Sequence, residues 1–172
     1  MALWLAPQQI DELIALARQG APRAVCGLVG GRDGVVSEIT SVANTASAPE
    51  RAYQMDERGL AHALTSLARR GMSPVAFFHS HLTGDSRPSP LDVTMWAYPD
   101  VLMLIITLQP APALSAWSVR WGEVTPVEIA METGAPRATR PPWTTAAQIA
   151  VLVAVIAAVA LFLLIALTLL PP

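Results

Sequence analysis

His79-Ser80-His81, with Ser89 and Asp92 eight and eleven positions beyond the second histidine, brings together residue types that bind metal. The run reads FHSHLTGDSRPSPLD, or H-S-H-x7-S-x-x-D. Side chains alternate along a strand, so histidines at i and i+2 project from one face. An aspartate arriving from the next element completes a His/His/carboxylate set. That is the pattern of catalytic zinc sites, in which three protein ligands leave a fourth position for water. Two of the chain's three histidines sit here. The expectation is one zinc ion on His79, His81 and Asp92.

Ser89-Pro90-Leu91-Asp92 also reads as a helix start, with Ser at the N-cap, Pro at N1 and an acid at N3. Capping and facing the metal need not compete, so Ser89 is kept as a site residue. His62 lies off the Leu60/Leu64/Leu67 stripe and is expected in solvent. Cys26, on an apolar strand, is expected to be a small buried hydrophobe rather than a nucleophile or ligand. A zinc deaminase is excluded, because it needs H-x-E with P-C-x-x-C.

The elements that must position these residues follow from periodicity. Ile10, Leu13, Ile14 and Ala17 mark an amphipathic helix ending near Gly20. Ala24–Gly30 (AVCGLVG) reads as a buried strand, and Gly30–Gly34 as the turn into a second strand, Val35–Val42. Residues Asn44–Glu50 read as a loop. Asp56 caps a helix carrying Leu60, Leu64 and Leu67, which Gly71 closes. Val75–His81 is the histidine strand, Asp92–Tyr98 a helix and Val101–Leu108 a strand. Ala113–Trp121 and Glu123–Ile129 form a hairpin through Gly122.

The last quarter of the 172 residues changes character. Ile149 through Leu170 is 22 residues without a charge, interrupted only by Thr168. At about 1.5 Å per residue, such a helix crosses a bilayer core of roughly 30 Å. Arg137 and Arg140 precede it and no charge follows, which places the folded part on the cytoplasmic side. The N-terminus has no basic n-region and carries Asp11 and Glu12, so no signal peptide is read. The organisation expected is a folded domain over 1–133, a proline-rich tether over 134–145 and a transmembrane tail anchor over 146–170.

A net charge of −2 with no basic stripe argues against nucleic acid as a partner. One cysteine excludes an internal disulfide, which suits a reducing compartment. All 11 basic residues are arginine. Coding bias accounts for that most simply; protection from lysine conjugation is the sharper alternative.

The array resembles the JAMM (MPN-plus) zinc metallopeptidases, whose motif is an upstream glutamate followed by H-S/T-H-x7-S-x-x-D. The resemblance covers most of residues 8–130, including Cys26–Gly31 (CGLVGG) and the Asn44 loop, and is greatest to compact prokaryotic members. It implies an α/β fold, a mixed curved sheet with flanking helices. It also implies His79, His81 and Asp92 as zinc ligands, with Ser89 steadying the attacking water or the tetrahedral oxyanion. The implied substrate is a ubiquitin-like protein with a glycine-rich C-terminal tail, held in a narrow groove, with strand addition at a sheet edge as one way to hold it. Activating and conjugating enzymes of the same pathway are further implied partners.

One departure bears on activity. The family's general base is a glutamate two residues before the Cys-Gly pair, and here that position is Ala24. Arg23 cannot replace it, being always protonated. The chain is therefore expected to bind zinc and substrate but turn over poorly. Either it is a natural pseudoenzyme or the glutamate was replaced to trap a complex; the retained Ser89 favours replacement. A non-catalytic membrane-anchored scaffold and a zinc peptidase for unrelated peptides are the alternatives.

Overall fold

The computed structural model describes residues 2–82 and 84–131; the tether and the membrane span expected from the sequence lie outside the described residues. Ten elements follow in order. They are β1 (Ala2–Leu5), α1 (Pro7–Gly20), β2 (Cys26–Arg32), β3 (Val35–Val42), α2 (Glu57–Arg69), β4 (Ser73–His81), α3 (Pro90–Thr94), β5 (Leu102–Thr107), β6 (Ala113–Arg120) and β7 (Glu123–Met131). The sheet is mixed. Its strand order is β1-β3-β2-β4-β5-β6-β7, and β7 closes on β1 to make a barrel.

Every described strand has a neighbour on both sides, but β1 meets β3 at one register pair, Trp4↔Val35, which leaves the rest of β3 paired with β2 alone. β1 is the element that periodicity did not supply. Its four residues alternate, with Leu3 and Leu5 fully buried, and it pairs in parallel with β7 from Ala2↔Glu128 to Leu5↔Met131. Four residues are too few for alternation to stand out in sequence.

α1 starts at Pro7, where a missing N–H costs nothing, and the Gln9 side chain accepts from the Ala6 N–H at 2.9 Å. Its Leu13 and Ala17 pack on one sheet face with Val29, Ala76, Phe78, Leu104 and Ile106. α2, capped by Asp56 accepting from the Gly59 N–H at 2.7 Å, packs Ala63 and Leu67 on the other face against Leu28 and Phe77. Met103, Ile105, Trp117 and Val119 continue that second face toward Val93 and Trp96. Alternation therefore puts Cys26 with Leu28, and His79 and His81 with Phe77, on the face that carries α2.

Two glycines explain local geometry. A Cβ on Gly27 would meet the Thr40 carbonyl oxygen at 2.2 Å, so only glycine lets β2 and β3 approach there. Trp121 (φ 53°) and Gly122 (φ 84°) form the left-handed pair that joins β6 to β7.

Several boundaries shifted, three of them with a local cause. β2 begins at Cys26 rather than Ala24, because the Val25 N–H bonds the Ser80 hydroxyl at 3.0 Å and leaves the ladder. The turn tightens to Asp33-Gly34, so β2 runs on to Arg32. The helix expected over Asp92–Tyr98 is instead α3 at Pro90–Thr94, set by the Ser89 cap.

Candidate metal centre

β4 carries the two histidines to its C-terminal end, where His79 is buried and His81 half-buried. α3 delivers Asp92 from the following element. Three candidate ligand residues converge. His79 Nε2 lies 3.0 Å from His81 Nε2. Asp92 Oδ1 lies 3.5 Å from His79 Nε2, and Asp92 Oδ2 lies 3.3 Å from His81 Nε2. A tetrahedral zinc with bonds of about 2.0–2.1 Å separates its ligand atoms by about 3.3–3.4 Å. The donor set, its neutral and anionic chemistry and its spacing all fit that ion.

Each ligand is held by a neighbour. The His81 Nδ1 faces the Asp85 carbonyl oxygen at 2.9 Å, so Nδ1 donates there and Nε2 is the nitrogen that faces Asp92. The loop bearing Asp85 is pinned in turn. Trp117 Nε1 donates to the Ser86 carbonyl at 2.9 Å, and the Arg87 guanidinium sits 5.7 Å from the Trp117 ring centre. His79 is sandwiched differently: the Tyr53 ring lies on it at 4.2 Å, 16° from parallel. Asp92 and Ser89 form a reciprocal capping box at the start of α3.

The electrostatics follow from this packing. Burial lowers the His79 pKa, with Asp92 partly opposing. A hydrogen bond to Asp92 raises that of His81 against burial. For Asp92, burial raises the pKa, but hydrogen bonds from both histidines and Ser89 outweigh it and hold the carboxyl well below the usual range. The carboxylate is therefore ionised and ready to bind a cation.

Ala24 is buried, two residues before Cys26. Cys26 pairs with His79, and the Ser80 N–H bonds the Val25 carbonyl at 2.9 Å. The main chain of Ala24 is fixed on both sides, its N–H to the Pro49 carbonyl at 2.7 Å and its carbonyl to the Asn44 side-chain amide at 2.8 Å. Cys26 is buried, donates to the Val42 carbonyl at 3.5 Å, and burial pushes its thiol up to about 11. His62 is exposed on α2, away from the ligand set.

Tyr53, Asn44, Asp85 and Trp117 were invisible in the sequence as site residues. Asp85 lies inside the x7 of the motif and acts through its main chain, which residue type does not report. Tyr53 and Asn44 sit in a loop without periodicity.

With the geometry described, the comparisons fall into place. The profile of the family described as prokaryotic homologs of the JAB domain matches residues 7–120. A Thermus thermophilus protein, named a probable TtuB-protein conjugate cleaving protease, is 33% identical over 104 residues, 59% of this chain and 70% of its own. A protein of Desulfitobacterium hafniense has a solution structure similar at TM-score 0.68 and 31% identity, over 75% of this chain and 92% of that one. A JAB1/MPN domain protein of Archaeoglobus fulgidus shares the fold at TM-score 0.51 and 14% identity, over 75% of this chain and 98% of its own.

Proposed function

The chain belongs to the prokaryotic JAB-domain family, and from that premise we propose a zinc-dependent peptidase or isopeptidase whose substrate is a ubiquitin-like protein conjugate. In this reading catalysis is curtailed by Ala24. The observation that carries it is the meeting of His79 Nε2 and His81 Nε2, 3.0 Å apart, with the Asp92 carboxylate, whose Oδ1 lies 3.5 Å from the first and whose Oδ2 lies 3.3 Å from the second. The conjugate-cleaving name of the Thermus relative supports the substrate class.

His79, His81 and Asp92 would hold the ion. When bound, zinc polarises the scissile carbonyl and lowers the pKa of water to about 7. Ser89 accepts from the Asp92 N–H with its Oγ, which leaves its own hydroxyl hydrogen to donate to the oxyanion. A carboxylate at position 24 would face this cluster from β2's side, take the proton of the attacking water and return it to the leaving amine. The Ala24 methyl can do neither.

The uncharged run 149–170 supports a tail anchor that keeps the domain at the cytoplasmic face and raises its effective concentration on membrane-associated conjugates. Removal of residues 144–172 is expected to release the protein from membranes in a flotation assay; retention would sink the anchor.

The enzymatic reading is tested by cleavage of a ubiquitin-like C-terminal fusion by the zinc-loaded chain and by its Ala24→Glu variant. Gain of about 10²–10⁴-fold with glutamate assigns position 24 as the base. If both forms bind zinc and the ubiquitin-like protein but neither cleaves, the non-catalytic scaffold that Ala24 also suits takes its place.

A further inference from the structure

His81 is set by a hydrogen bond through its Nδ1; the corresponding support at His79 is a ring. Tyr53 lies face to face with the His79 imidazole at 4.2 Å and 16°. It comes from the loop that joins β3 to α2, where backbone would be free to wander without side-chain support.

That support is Asn44. Its Nδ2 donates to the Ala52 carbonyl at 3.1 Å, and its Oδ1 accepts from the Gln54 N–H at 3.0 Å, so the residues on either side of Tyr53 are both fixed. Oδ1 also accepts from the Ala46 N–H at 3.0 Å, and Nδ2 reaches the Ala24 carbonyl at 2.8 Å. Two donors and two acceptor positions are all the amide has, and all four are used. The Thr45 N–H and hydroxyl both bond the Gln54 carbonyl, at 2.8 and 3.1 Å, closing the bracket. One side chain thereby ties the main chain of position 24 to the ring over His79.

We propose that Tyr53 is a positioning residue, bracketed by Asn44, whose stacked ring fixes the plane of the His79 imidazole so that Nε2 points at His81 and Asp92. This rests on the zinc reading above. A stack restrains the ring plane without taking a nitrogen, so phenylalanine should serve as well as tyrosine, whereas an aliphatic chain of similar bulk should not.

The test is made on the chain as it stands, with zinc as the probe. Zinc affinity is measured by chelator competition, and the imidazole nitrogen resonances are recorded without metal. Partners that orient a metal ligand are typically worth about 10–100-fold in affinity. Tyr53→Phe is expected within about twofold of the parent, and Tyr53→Leu weaker by about that factor, with His79 nitrogen resonances shifted or broadened and those of exposed His62 unchanged. Parent-like affinity and parent-like His79 resonances in Tyr53→Leu overturn the proposal. A Tyr53→Leu chain that does not fold also overturns it, by making the residue structural. If the parent itself takes up no zinc, the metal reading fails, and the His79 resonances alone decide on Tyr53.

Discussion

Ser89 and Asp92 hold each other: the Ser89 N–H donates to Asp92 Oδ2 at 2.7 Å, and the Asp92 N–H donates to Ser89 Oγ at 3.2 Å. The same carboxylate meets both histidines, so the cap that starts α3 also aims a residue of the candidate metal site. Ser89→Ala removes one of the two bonds and should lower unfolding stability by about 1 kcal/mol, as loss of an N-cap does. In an Ala24→Glu background it should lower kcat by about 10²–10³-fold, more than the stability change explains. Denaturant melts and steady-state rates on one preparation check both.

Zinc should stabilise the fold, because it binds the native arrangement and not the open chain. At a free concentration about a thousand times Kd the gain is about 4 kcal/mol. Chelation should reverse it, and His81→Ala or Asp92→Ala should remove the response. A proton competes for His81, whose pKa is raised chiefly by its hydrogen bond to Asp92, so zinc affinity should fall as pH drops through the histidine range. Thermal shift against zinc and pH measures this.

The buried thiol predicts an alkaline loss of stability. Cys26 has its pKa raised by burial from 9.0 to about 11, so between those values the unfolded chain releases a proton that the folded chain keeps. Stability is full below pH 9, falls toward pH 11 and levels above it. Tyr53, also raised by burial first, adds in the same direction from its ordinary value upward. Cys26→Ala should flatten the slope between pH 9 and 11 in urea melts; an unchanged slope would refute the assignment.

Trp117→Phe keeps the ring but loses the Nε1–H that holds the Ser86 carbonyl. The loop that presents the Asp85 carbonyl to His81 should loosen, lowering zinc affinity about tenfold with little change in melting temperature. Amide exchange at residues 84–87 should rise in step.

Much of this was legible because the chemistry lies in local spacing. The i, i+2 histidines and the S-x-x-D cap each describe geometry that the backbone enforces by itself, and the structure does bring those residues together. The second strand, Val35–Val42, and the Asp56 cap could be read for the same reason. What escaped depends on long-range contact. Tyr53 reaches His79 across 26 positions, and Asn44 reaches Ala24 across 20, through loop backbone that shows no period. The closed sheet escaped because its closing strand is four residues long.

That short strand has a consequence for assembly. β1 seals the barrel with only a single register pair to β3, Trp4↔Val35, and four to β7. Without it, Glu128–Met131 of β7 would lose their paired strand and present unpaired N–H and C=O groups, the template on which chains polymerise edge to edge. Ala2–Leu5 thus covers that stretch of β7. Its loss should show first as oligomers growing with concentration, before any change in the metal-binding face.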